Sequence, residues 1–255
     1  MFKSTLLFAL LFVATIRLMA QTVVRRPLSE LIDKNKSGWT TVQKWLATAK
    51  NDFKVLPRDS KRAENALYET QVTTKSPMGA IVYETGGILI DHGWIRILGS
   101  GSKKLDRELM TWNEGKSFQK GEVPSGWLLI ADDVLGGFFA INNGGISTDE
   151  IGKIFYFVPQ LLQWEPMNLS YSEFIQWCLN CDMATFYQGA RWVDWEKEIA
   201  KINGDQGIHC FPPLFSVEGQ DINKTVRKAV PIQELWDYGQ SAAQQLNPEN
   251  DRQGK

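Results

Sequence analysis

The chain has 255 residues, enough for one large domain or two small ones. Its 43% hydrophobic and 22% charged content is that of a folded globular body, and excludes a disordered, collagenous or many-span membrane chain. Lys and Arg number 28 against 29 Asp and Glu, a formal charge of -1, so no chain-wide basic field recruits nucleic acid and none is expected as a partner.

Residues 1–20 stand apart from the rest. Lys3 supplies a positive start, and Leu6 to Ala14 form an unbroken apolar run. The run is shorter than the roughly 20 residues a membrane-crossing helix needs, and Arg17 interrupts it, so it reads as a secretory signal peptide rather than a permanent span. Ala20 puts a small residue before a cut at Gln21, although Leu18 departs from the usual small residue three positions back. The mature body is expected to be mildly acidic and exported, to the periplasm or outside the cell.

Helical spacing begins at Pro27 with Leu28, Leu31 and Ile32, and continues behind Ser37 with Trp39, Val42, Trp45, Leu46 and Ala49. A third helix is predicted from Asp59 to about Gln71, with Ala63, Ala66 and Leu67 inward. After Pro77 the runs Ala80–Tyr83, Gly87–Ile90 and Trp94–Leu98, separated by glycines, predict a meander of three strands. Residues 99–126 read as a long polar loop, the kind that is usually functional or mobile. Strands resume at Trp127–Ala131, Gly137–Ile141 and Lys153–Val158, with Asp132-Asp133 and Asn142-Asn143-Gly144-Gly145 as hairpin turns.

Ser170 with Glu173 makes a capping box ahead of Phe174, Ile175, Trp177 and Cys178. Helices follow at Met183–Tyr187 and Trp192–Ile202. Ile208–Val217, broken by Pro212-Pro213, reads as an edge strand or an irregular connection, and Pro231 opens a last helix. Residues 247–255 form a polar tail. The whole predicts a single α+β domain over 21–246, a central, mainly antiparallel sheet flanked by N-terminal and C-terminal helices.

Several side chains invite a chemical reading. His92, one of two histidines, follows Asp91 and lies near Glu84, which suggests acid/base work. The competing reading is a turn, because Asp91-His92-Gly93 falls where a hairpin reverses and no nucleophile elbow accompanies it. Asp133, beside Asp132, divides in the same way between a metal or base ligand and hairpin chemistry. Cys178, Cys181, His209 and Cys210 superficially resemble a zinc set, but the adjacency of the last two makes tetrahedral ligation awkward. In an exported chain, Cys178 or Cys181 bridged to Cys210 competes with three buried free thiols. No phosphate loop, dinucleotide fingerprint or zinc-protease helix is present, so no metal or cofactor is expected. Of the 10 tryptophans most should be core; Trp112 in the long loop and Trp192 at a helix start are the expected exposed contacts, with Lys103 and Lys104 beside the former.

The stretch Gln71–Ser102, with Val72-Thr73-Thr74-Lys75-Ser76-Pro77 and Tyr83-Glu84-Thr85-Gly86-Gly87 through Trp94, resembles an uncharacterised bacterial family, domain of unknown function 2625. Asp132-Asp133-Val134, Gly136–Ala140 and the Tyr171–Trp177 helix carry the same likeness, which extends over nearly all of the mature chain and brings no catalytic residues with it. More distantly, the order of a Gly-rich strand at Gly136–Asn142, a strand at Ile154–Val158 and a Ser-x-x-Glu-Phe helix at Ser170 is similar to the SUKH superfamily. Many of its members are immunity proteins that bind toxins, so the resemblance implies protein binding through a sheet face or groove. The resulting expectation is an exported, non-enzymatic protein-binding module whose site involves the sheet and the 99–126 loop. The alternative is a periplasmic hydrolase that gathers Glu84, Asp91, His92 and Asp133 around one cleft.

Overall fold

The computed structural model describes residues 25–246, apart from 121, 123 and 125. The expected signal peptide and polar tail lie outside the described residues. In chain order the elements are α1 (Leu28–Leu31), α2 (Ser37–Ala47), β1 (Phe53–Val55), α3 (Ser60–Thr70), α4 (Pro77–Glu84), β2 (Gly87–Ile90), β3 (Ile95–Leu98), α5 (Leu109–Asn113), β4 (Trp127–Asp133), β5 (Phe138–Asn142), β6 (Ile154–Val158), β7 (Gln163–Pro166), α6 (Tyr171–Asn180), α7 (Met183–Phe186), α8 (Trp195–Ile199), β8 (Gln206–Phe211), β9 (Val226–Pro231) and α9 (Ile232–Leu246). Strands β1 to β7 pair sequentially into one antiparallel sheet, and β8 and β9 form a separate hairpin. The α+β class and the antiparallel sheet between helices are as the sequence predicts.

The register decides what each face carries, because cross-strand partners share a face. One face presents Arg96, Asp132, Phe138, Phe157 and Trp164 in a row across five strands. Helix α9 covers it with Trp236, whose ring meets Phe138 edge-on at 4.9 Å, and the β8 hairpin joins it through Ile208 N–H donating to Val134 O at 2.6 Å. The opposite face presents Ile97, Ala131, Phe139, Tyr156 and Glu165. There α6 lays Phe174 against Phe139 at 5.0 Å, and α2 and α4 in turn touch α6. From β3 to β6 both faces are therefore largely covered, which is why these strands read as nearly continuous apolar runs rather than strict alternation.

Three local expectations are corrected. Ala80–Tyr83 is not a strand but lies inside α4. Ser76 caps that helix by accepting from Gly79 N–H, Pro77 sits at its first turn, and Ala80, Ile81 and Val82 are all buried, so no polar face marks its period. The first strand of the sheet is instead β1, three residues long and paired with β2. The 99–126 segment is not structureless: it holds α5 and isolated bridges at Gly99↔Glu108, Ser102↔Leu105 and Glu114↔Phe118, anchored by buried Leu105, Leu109 and Trp112.

Candidate functional site

The residues singled out in the sequence acquire separate partners. Asp91, His92 and Gly93 make the turn between β2 and β3, all with left-handed φ. The exposed His92 ring stands 3.8 Å from Asp52 Oδ2 and edge-on to Trp195, not beside Asp91. Asp91 instead pairs with Arg191. Glu84 ends α4 at 3.5 Å from Lys36 Nζ. None of Glu84, Asp91 or His92 lines either cleft described below. Trp112 and Trp192 are 7% and 3% exposed, so neither is the surface contact expected of it. Trp112 is pinned under Arg107 and Lys116, whose cations stand 4.5 and 3.8 Å from its ring, and Trp192 lies between Trp94 and Arg227. Lys103 and Lys104 are exposed on the Ser102↔Leu105 bridge.

The three cysteines are free thiols, and the bridge to Cys210 has no basis in the fold. Cys178 belongs to α6 on one side of the sheet. Cys210 belongs to β8 and lines a small pocket with Leu135, Phe157 and Leu235 on the other side. The same separation disperses the zinc-like set.

Asp132 and Asp133 end β4 and are fully buried, one on each face. Asp132 takes Arg96 Nη2 at 2.6 Å and Arg107, which also reaches Asp205 Oδ1 at 3.2 Å and Gly204 O at 2.7 Å. Arg96 is itself wholly buried, and burial lowers its guanidinium pKa, against the pull of Asp132. Asp133 Oδ1 accepts from the N–H groups of Leu135 at 2.8 Å and Gly137 at 3.0 Å, the turn chemistry the sequence suggests. Its Oδ2 does more: Tyr156 Oη donates at 2.7 Å and Tyr187 Oη at 3.2 Å. A Cβ on Gly137 would collide with both Asp133 and Tyr156, so only glycine lets the turn backbone approach this closely. Burial raises the Asp133 carboxyl above its ordinary value and pushes both phenols well above theirs.

Tyr156 and Tyr187, fixed by Asp133, help wall the larger cleft, about 760 Å³. Its walls come from the β6–β7 edge through Leu161, Glu165 and Met167, from α6 and α7 through Trp177 and Phe186, from Gln188 to Ala190, and from Leu214 to Gln220. Arg191 directly follows the Gln188–Ala190 segment. Its guanidinium pairs with Asp91 and sits over Trp195 at 4.3 Å, Trp94 at 4.8 Å and Tyr187 at 5.3 Å. At the rim Leu161 and Phe186 are 53% and 38% exposed, and Glu165 is the only ionisable carboxylate or cation among the lining residues. A cleft of this size, lined mainly by apolar and aromatic side chains with a few amides, has the make-up of a pocket for an uncharged, largely apolar group.

Among the described residues, no three His, Cys, Asp or Glu side chains come together to hold a metal ion, and no helix is long and apolar enough to cross a membrane. The sheet, its two helical layers and this cleft define an α+β protein with an open, largely apolar groove beside its sheet. Residues 28–235 match the family described as protein of unknown function DUF2625, and the chain belongs to that family. An uncharacterized protein of Haemophilus influenzae (strain Rd) is 46% identical over 207 residues, covering 81% of this chain and 90% of its own. A putative uncharacterized protein of Escherichia coli K12, YbfG, is 40% identical over 212 residues, 83% and 94% of the two chains. No solved structure matches.

Proposed function

We propose that this is an exported, non-enzymatic protein-binding module, and that the groove walled by Leu161, Trp177, Phe186 and Tyr187 receives an apolar side chain from a segment of the partner. The observation that carries the reading is the open groove with Leu161 and Phe186 exposed at its mouth. Contiguous exposed apolar surface is otherwise costly, and aromatic walls held in fixed rotamers make good anchors. Its walls are pre-organised by Asp133 on one side and Arg191 on the other, which lowers the ordering cost of binding. Export rests on the character of residues 1–20, and the SUKH-like order of β5, β6 and α6 adds an immunity-type role as the finer form of the reading.

The test is co-purification of the mature protein with its partner from the envelope fraction of the producing cell, comparing wild type, L161E and the double charge reversal K103E/K104E. A partner retained by wild type and K103E/K104E but lost with L161E is the expected result. Equal recovery with L161E overturns the groove as the site.

A further inference from the structure

Three sulfur-bearing residues, Cys178, Cys181 and Met183, lie where α6 ends and α7 begins. Cys178 and Cys181 are three residues apart on the helical turn that closes with Cys181 N–H donating to Trp177 O at 2.9 Å. Residues at that spacing are neighbours on one face, with Cβ atoms about 5–6 Å apart. A disulfide needs Cβ atoms at about 3.5–4.5 Å, so this spacing is too wide for a bridge without moving the backbone. It suits two ligands of one ion better. Met183, buried at the first position of α7, brings its Sδ to 3.7 Å from Cys181 Sγ. Two sulfurs bound at about 2.3 Å to one metal, at a tetrahedral to trigonal angle, stand about 3.8–4.0 Å apart.

The donors also discriminate between metals. Zinc wants four ligands, and no further His, Cys, Asp or Glu completes a set among the described residues. Asp182 lies between Cys181 and Met183 in sequence, but its carboxylate is occupied by Thr185 N–H at 3.0 Å and Thr185 Oγ1 at 2.8 Å. Two thiolates and a thioether with no hard ligand are the donor set of Cu(I). The helix end is rigid: Asn51 Nδ2 donates to Cys178 O at 2.9 Å and Cys181 O at 3.0 Å, and the Lys50 and Asn51 N–H groups both reach Leu179 O. Cys181 is partly exposed, which gives an ion a way in, while Cys178 and Met183 are buried.

We propose that Cys178, Cys181 and Met183 form a three-coordinate Cu(I) site at the α6–α7 junction. Entry of Cu(I) displaces one proton from each thiol to solvent, leaving a centre with one net negative charge. Burial, Asp182 and Asp91 hold the Cys181 thiol in its protonated form against the pull of Arg191, whose Nε has no acceptor of its own, so the proton leaves only as the ion enters. The site ties the two helices that carry Trp177 and Phe186, so occupancy should also stabilise the fold by ligand linkage.

The test uses the full mature chain, reduced and without oxygen, titrated with Cu(I) against a coloured Cu(I) chelator. Wild type is expected to withdraw one Cu(I) per chain. C181S is expected to lose affinity by about 100-fold or more, beyond the roughly 10- to 100-fold that loss of a supporting partner costs, with a smaller loss in M183L and none in C210S. Near-UV circular dichroism identifies any variant that has lost its fold. X-ray absorption on the wild-type complex, which needs no variant, is expected to show three sulfur neighbours at about 2.3 Å and no nitrogen or oxygen. Failure of wild type to compete with the chelator, undiminished binding by folded C181S, or a nitrogen or oxygen shell each overturns the proposal.

Discussion

Asp132 and Asp133 are consecutive on β4 and both fully buried, yet they serve opposite faces of the sheet: Asp132 pairs with Arg96 and shares Arg107 with Asp205, while Asp133 gathers two tyrosine hydroxyls and two turn amides. The alternation of a strand makes this division unavoidable. One carboxylate welds the sheet to the α5 segment and the β8 hairpin, and the other sets the walls of the groove.

Removing Asp132 leaves Arg96 charged and dry. D132A is expected to cost about 3–5 kcal/mol, the range for breaking a buried pair, whereas the apolar double variant R96M/D132L should recover most of that loss. Urea unfolding of the wild type and of R96M, D132A and R96M/D132L measures the coupling. A double variant no more stable than D132A would contradict the assignment of the cost to an orphaned cation.

Stability should carry the signature of Asp133. Burial raises this carboxyl above 3.8, so the folded chain keeps its proton to higher pH than the unfolded chain does. The contribution is complete below 3.8 and is lost as pH climbs through the raised value. D133N, which can still accept from the turn amides, has no such step. Unfolding of both proteins between about pH 3 and pH 7 is expected to show the wild-type advantage over D133N shrinking as pH rises. An advantage that grows with pH would mean that the hydrogen bonds outweigh burial.

Arg191 links the β2–β3 turn to the groove. R191M removes a largely buried ion pair and three aromatic contacts, and is expected to cost about 2–4 kcal/mol. R191K keeps the charge but not the planar fork, and should restore less than half of that. Thermal and urea unfolding of the two variants checks this; equal stability of R191K and wild type would reduce Arg191 to a simple charge.

Much of the fold was legible along the chain, and the exceptions have physical reasons. The capping box of Ser170 and Glu173 is present as predicted, because both halves of that signal lie within one turn. Helix α4 has the pattern of a strand in sequence because its buried centre, Gly79 to Val82, shows no polar face, although Ser76 ahead of Pro77 is a helix start signal. The polar sequence around Trp112 predicts an exposed ring. Its burial comes from Arg107 and Lys116 folding over it, which no local pattern announces. The groove was the least legible part. Tyr156 and Tyr187 meet at Asp133 from elements 31 residues apart, and only the sheet register and the turn after α7 bring them together.

The central claim is that a partner polypeptide seats at the mouth of the groove. A photocrosslinking amino acid placed at position 161 and, in a separate variant, at position 103, activated in intact producing cells, tests it most directly. The account predicts a discrete protein adduct from position 161 and none from position 103. An adduct from position 103 alone would contradict it, moving the binding surface to the α5 segment.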